Sequence, residues 1–150
     1  MAEVRRLNPK AVAGGHAAKA AGNSSEAFWE AQHDGAKAMG VLAHVAHNHP
    51  STKFVGGRLI YDKKAGTDFS GLLSTGQALA AESKSAIGRL ARKSIKPLQI
   101  AQLDATAKVG GAAYLLVEFR DAGLRHHFAI PWLEVPWVTL KTARSIGMED

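Results

Sequence analysis

The chain has 150 residues, of which 46% are hydrophobic and 21% charged, so there is room for one domain with a real core and no compositional sign of disorder away from the ends. Nineteen Lys and Arg against thirteen Asp and Glu leave a formal charge of +6, which makes a polyanion, with nucleic acid the commonest, a reasonable partner. With no cysteine, disulfides, thiolate metal sites and cysteine nucleophiles are excluded, and with no apolar run of about eighteen residues and no export signal the expectation is a cytoplasmic protein with no membrane partner.

Residues 1–22 carry Arg5, Arg6, Lys10 and Lys19 among many Ala and Gly. They read as a flexible basic arm, either a frayed terminus or a tail that grips phosphates, ahead of a single domain over residues 23–150. Asn23 reads as an N-cap with Glu26 at the N3 position of a capping box. Phe28, Ala31, Gly35, Ala38, Met39 and Leu42 recur at helical spacing and predict one apolar face, with Glu26, Glu30, His33 and Lys37 on the other side. Val41–Ala46 predicts a first strand that ends at His47, Asn48, His49 and Pro50. Phe54–Val55 and Leu59–Tyr61 flank Gly56–Gly57, the pattern of a small hairpin.

The next stretch, GTDFSGLLSTGQALAAESKS over residues 66–85, sets charge inside two apolar runs. Ser74, Thr75 and Gly76 suit a three-residue hairpin loop with Gly76 in the left-handed region. That loop places Asp68 opposite Glu82, with Lys84 two residues on and on Glu82's side of the sheet. Two facing carboxylates repel unless a cation lies between them, and a hard divalent ion such as Mg²⁺, which takes carboxylate oxygens and keeps several waters, is the natural candidate. Such an ion lowers the pKa of its water and stabilises charge on a phosphoryl oxygen, and a lysine beside it holds that water or neutralises the developing charge. The spacing alone is common; the strand setting is what marks these three residues as a candidate site.

Residues 84–97 read as a basic linker carrying Lys84, Arg89, Arg92, Lys93 and Lys96. Together with Arg5 and Arg6, the residues Arg89, Arg92, Lys93 and Lys96 are the candidate DNA contacts, through phosphate. Pro97 suits the first turn of a helix running to about Val109 and closed by Gly110–Gly111. Residues 112–119 predict a buried strand, Asp121–Gly123 a turn, and residues 125–130 its hairpin partner. Trp132 and Trp137 are expected to close the core, and the last residues to fray. Helices alternating with strands give an α/β or α+β sheet with helices packed against it. His47 and His49 form an H-x-H pair that reads as surface or phosphate-facing rather than metal-binding, since no convincing third ligand accompanies it, although His126 and His127 are available. No phosphate-binding Walker loop, dinucleotide fingerprint, HExxH or GxSxG occurs.

Four segments taken in order resemble the RecU-type Holliday junction resolvases of the PD-(D/E)xK nuclease superfamily. Gly22–Glu26 is similar to the family's G-x-x-x-E, Thr67–Gly71 to its T-D-Y-N-G, and Glu82-Ser83-Lys84 to its E-A-K. Gln99–Ile100, followed by Gly110–Gly111 and a hydrophobic strand, resembles its Q-I helix and G-G strand entry. The resemblance, which spans about residues 22 to 132, implies an α/β fold with a mixed central β-sheet flanked by helices, a restriction-endonuclease-like core. It implies a homodimeric, metal-dependent endonuclease that makes paired cuts in four-way DNA junctions, in the manner of a crossover junction endodeoxyribonuclease. Carried over, Asp68 and Glu82 become Mg²⁺ ligands with the backbone carbonyl of Ser83, and Mn²⁺ substitutes for Mg²⁺. Lys84 orients the attacking water, Glu26 brings a further carboxylate, and Gln99 sits at the edge of the site. The interval from Pro50 to Thr67 is shorter than the family's projecting stalk, and His47–Pro50 replaces its K-K-P. Two rivals remain: a nicking or end-processing nuclease of the same superfamily, and a non-catalytic basic DNA-binding protein.

Overall fold

The computed structural model describes residues 9–49, 52–61 and 66–150. In chain order they form α1 (Pro9–Ala38), β1 (Leu42–His47), β2 (Thr52–Val55), β3 (Arg58–Tyr61), β4 (Phe69–Leu73), β5 (Ala78–Ile87) and β6 (Leu90–Ala91). Then come α2 (Pro97–Lys108), β7 (Ala112–Asp121), β8 (Leu124–Pro131), the short α3 (Pro136–Thr139) and β9 (Ser145–Ile146).

Strand β5 is the axis of the fold. It pairs antiparallel with β4 and parallel with β7, and every residue from Leu79 to Ser83 is buried. A strand covered on both edges and both faces tolerates a run of small and apolar residues without alternation, as Leu79-Ala80-Ala81 shows. The complete sheet has the order β1-β4-β5-β7-β8. It is a mixed sheet in an α/β protein, with α1 on one face and α2 on the other. Period-2 alternation divides β5 between them: Ala80 belongs to the cluster with Leu103 of α2, and Ala81 to the cluster with Trp29 of α1.

The α2 side holds the larger core, where Leu103, Leu115, Phe119 and Trp132 are each at most 1% exposed. Burying such a side chain contributes about 1.5–3 kcal/mol. Trp132 Nε1 donates to Asp104 Oδ1 at 2.6 Å, which offsets the cost of burying its polar group. Trp132 and Trp137 close this core as expected.

The β4–β5 register matches the sequence expectation. Phe69 faces Ala81 and Leu72 faces Ala78, the loop is Ser74–Gly76, and Gly76 has φ +87°. The same holds for the hairpin β2–β3 around Gly56–Gly57, for α2 starting at Pro97, and for the β7–β8 hairpin.

Three expectations need correction. Helix α1 does not start at Asn23: it begins at Pro9, so Asn23 and Glu26 lie inside it and form no N-terminal cap. Residues 9–22 are thus helical in backbone, and residues 1–8 lie outside the described residues. Second, the buried stripe of α1 is rotated. Ser25 and Trp29 are buried and Phe28, His33 and Ala36 half-buried, whereas Ala31, Gly35, Ala38 and Met39 are exposed. The indole of Trp29, the largest apolar group on the helix, decides which way it faces. Third, residues 84–97 are not a linker: β5 continues to Ile87, Leu90–Ala91 pair with Ser145–Ile146, and Leu90 and Ile95 are buried beside Ile146. That pairing also holds the final segment, where Gly147 N donates to Asp150 Oδ2 at 2.8 Å instead of fraying.

Two glycine substitutions test this packing with opposite signs. A Cβ on Gly71 would lie 2.1 Å from the His44 carbonyl oxygen of β1, so Gly71→Ala should destabilise by about 1–3 kcal/mol. Gly35 meets nothing within 4 Å, so Gly35→Ala should stabilise by about 0.5–1 kcal/mol. Urea denaturation of both variants checks the pair, and an unaltered Gly71→Ala midpoint would contradict the β1–β4 approach.

Candidate active site

Asp68 precedes β4 by one residue, and continuing the hairpin register sets it opposite Glu82 of β5. The two residues orient each other through backbone donors. Asp68 N donates to Glu82 Oε2 at 3.2 Å, and Ser83 N donates to Asp68 Oδ2 at 2.9 Å. Lys84, two residues on and therefore on the same face, pairs with Glu82 Oε1. Glu82 is fully buried, and its carboxyl is pushed up to about 7. Burial is the main cause; the Asp68 charge adds to it and Lys84 opposes it.

β4–β5 pairing stops at Phe69–Ala81, so the edge of Ser83 that faces β4 has no backbone partner there. In a strand a residue's N–H and C=O point to the same edge. The Ser83 carbonyl therefore opens on the same side as the Asp68 carboxylate that its N–H contacts.

The segment leading into Asp68 is held from two directions. From β1's end, Asn48 N donates to the Asp68 carbonyl at 2.6 Å, and Asn48 Nδ2 donates to the Thr67 carbonyl and to Ser70 Oγ, both at 3.0 Å. From α2, Gln102 Oε1 accepts from Thr67 N at 2.9 Å and Gln99 Nε2 reaches the Gly66 carbonyl at 3.5 Å. Gln99 Oε1 also accepts from Lys96 N at 2.8 Å, closing the first turn of α2. Both polar atoms of Gln99 are thus engaged by protein, and it lies buried as a support for residues 66–68.

Helix α1 lies over the other face at the same end of the sheet. Ser25 Oγ and Ser83 Oγ share a hydrogen bond at 3.1 Å. Glu26 Oε2 lies 3.0 Å from His47 Nε2, and Glu30 Oε1 lies 3.5 Å from His47 Nδ1. The His47 ring stacks on Phe69 at 4.7 Å, next in sequence to Asp68. His47 is therefore no surface histidine: its side chain is 11% exposed, between two carboxylates. The signal was present in the sequence, because His47 shares its strand face with Val45, which packs in the same cluster as Phe69. Burial also holds His33, edge-on to Phe69, below the ordinary imidazole range, against the opposing pull of Asp34 and Glu30.

The expected DNA contacts are scattered. Arg5 and Arg6 lie outside the described residues. Arg89 is engaged at the final segment, donating to Ser145 Oγ at 3.0 Å and to Asp150 Oδ2 at 2.6 Å and pairing with Glu149. Arg92 and Lys93 line a cavity of about 560 Å³ with Arg144 and Ile100, and Lys96 is exposed at the start of α2.

Among the described residues, no group of three or more His, Asp or Glu side chains gathers closely enough to hold a metal. What is present is two facing carboxylates and one open carbonyl. That donor set fits a hard oxygen-seeking cation that keeps most of its water, such as Mg²⁺, and does not fit zinc. No protein-family model matches the chain, and no curated protein sequence matches it.

The raised Glu82 carboxyl has a consequence for stability. Between its ordinary value of 4.5 and about 7 the folded chain keeps a proton that the unfolded chain has released, so stability is highest below that window and falls as pH rises through it. Glu82→Gln removes the dependence. Across the window the wild type should lose on the order of 1–3 kcal/mol relative to the variant, read from urea denaturation at its two ends. Parallel pH profiles would show Glu82 ionised at no cost.

Proposed function

We propose that the chain is a metal-dependent endonuclease with a restriction-endonuclease-like core, cutting branched DNA as a homodimer in the manner of a Holliday junction resolvase. The observation that carries this reading is the convergence of Asp68, Glu82 and Lys84 at one open strand end, with Ser83 presenting its backbone beside them. The mixed sheet between two helices and the net charge of +6 are compatible with it.

In this mechanism Asp68 and Glu82, with the Ser83 carbonyl, would hold Mg²⁺ or Mn²⁺. When bound, such a cation would supply a water of lowered pKa and charge stabilisation at the phosphoryl oxygen. Lys84 faces the same space as Glu82, where its ammonium steadies the attacking water or balances charge on the phosphate. Gln99, Gln102 and Asn48 act at one remove, keeping Gly66–Asp68 in place so that the two carboxylates stay aligned. Glu26, on the α1 side of the sheet, pairs with His47.

Junction selectivity follows from symmetry, since a two-fold dimer sets one such centre on each of two opposed strands. Between Pro50 and Thr67, where the resembled family carries its stalk, this chain has the short hairpin β2–β3, of four residues per strand. That shortness favours a second reading, a nicking or end-processing nuclease without junction preference.

Asp68→Ala or Glu82→Ala should abolish Mg²⁺-dependent cleavage while leaving DNA binding without Mg²⁺ intact, and Lys84→Ala should slow cleavage about 10²–10⁴-fold. A labelled four-way junction and a matched linear duplex provide the assay; near wild-type cutting by either acid variant would sink the site assignment. A cruciform plasmid separates the two nuclease readings. Coupled cuts yield linear DNA, nicked circles at every enzyme concentration support the nicking enzyme, and binding with no cutting leaves a DNA-binding protein.

A further inference from the structure

One buried acid takes no part in the site above. Glu118 of β7 is 1% exposed, on the α1 face of the sheet and next to Ser85 in register. Ser85 Oγ donates to its Oε1 at 2.9 Å, and Arg120 Nε lies 3.9 Å from the same oxygen. Its Oε2 faces Arg125 of β8 at 3.4 Å and His127 Nε2 at 3.1 Å. Helix α1 completes the surround: Arg125 also donates to Ser24 Oγ at 2.5 Å, and the His127 ring stacks on Phe28 at 3.7 Å.

Two guanidiniums against one carboxylate leave a net positive charge before His127 is counted. Among the described residues no second carboxylate contacts either arginine. Asp121, next along β7, falls on the opposite face by alternation. Arg120 Nε is buried with no hydrogen-bond partner, while the side chains of Arg120 and Arg125 are 29% and 48% exposed. Glu118 thus anchors the Arg125 guanidinium by a hydrogen bond and lies beneath that of Arg120, while part of each side chain reaches solvent. A guanidinium held this way has little freedom left to lose when it grips a tetrahedral anion, and its planar fork matches phosphate oxygens.

The cluster stands at the same end of the sheet as the candidate active site, on the opposite face, so a strand crossing that end passes both. Ser85 follows Lys84 on β5, and Ser24 precedes Ser25, which bonds Ser83. His47 of β1, Asp68 before β4, the last half of β5, and the paired Arg120 and Arg125 all stand at one end of the sheet.

We infer that Arg120 and Arg125, positioned by the buried carboxylate of Glu118, bind a backbone phosphate of the nucleic acid strand flanking the one at Asp68 and Glu82. This rests on the nuclease reading and adds a contact that the basic segments of the sequence did not indicate. Glu118 is a positioning residue: it touches the arginines and not the phosphate.

The test measures binding of the full-length chain to a fluorescent four-way junction in EDTA, from low to moderate salt. Arg125→Ala and Arg120→Ala should each weaken binding about tenfold at low salt and lower the log–log salt slope by about 0.9, one phosphate contact. Arg125→Lys should restore the slope but not the full affinity, since it returns the charge without the fork. Glu118→Gln should keep the slope and lose affinity, because both charges remain but are no longer held. If Arg120→Ala does not fold, the more exposed Arg125 supplies the slope alone. A wild-type slope in Arg125→Ala overturns the inference and leaves a structural ion cluster. Tighter binding by Glu118→Gln overturns the positioning role. Competition by inorganic phosphate that Arg125→Ala abolishes, with its DNA slope unaltered, assigns a free-phosphate site instead. A wild-type chain that binds no DNA overturns the nuclease reading itself, whereas a binding wild type with unaltered variants overturns only this site.

Discussion

A three-residue loop decides which residue of β4 faces which residue of β5, and most of the molecule follows from that register. Side chains in a strand alternate, so a slip of one position would turn Glu82 and Lys84 to the α1 side and bring Ala81 and Ser83 to the α2 side. The acid facing Asp68 would be lost, and Trp29 and Phe69 would meet charge where they now meet Ala81. Gly76, at φ +87°, makes the tight loop possible without strain. The parallel pairing of β5 with β7 then locks the other edge over nine residue pairs, from Leu79–Ala112 to Ile87–Arg120.

That geometry carries a cost, since a fully buried glutamate beside an aspartate is unfavourable in its charged form. The surroundings offset it locally. Each carboxylate accepts a backbone N–H from the other's strand, and Lys84 supplies the opposite charge. Side chains from β1's end and from α2 supply the remaining hydrogen bonds, to the backbone of residues 66–68. A network in which most polar atoms have a partner is rigid, and rigidity is what keeps two like charges aligned.

What was legible in the sequence was local. The β4–β5 register came from a loop whose length and glycine permit few alternatives, and α2 from a proline at its start and glycines at its end. Apart from the start of α1, which runs back to Pro9, the differences involve contacts between distant segments. Trp29 sets the orientation of α1 by packing near Phe69 and Leu116, which no window around residue 29 contains. Residues 84–97 look like a basic linker until Ile146 arrives to cover Leu90. His47 reads as a surface residue from sequence because its two carboxylate neighbours, Glu26 and Glu30, lie on α1 and reach it only in the folded chain. Gln102 and Asn48 carry no motif; only the folded chain shows that they hold Thr67.

The hairpin β2–β3 stands apart from this interlocked sheet. Among the described residues it forms a two-stranded ladder of its own, hydrogen-bonded to no strand of the five-stranded sheet. Two strands joined by a tight Gly56–Gly57 turn are marginal by themselves in water. Its amide protons can therefore exchange with solvent through openings that leave β5 and its neighbours intact, whereas those of β5 and β7 wait for the whole domain to unfold. The molecule thus carries two grades of permanence: a sheet that yields all at once, and a two-stranded ladder that can open without it.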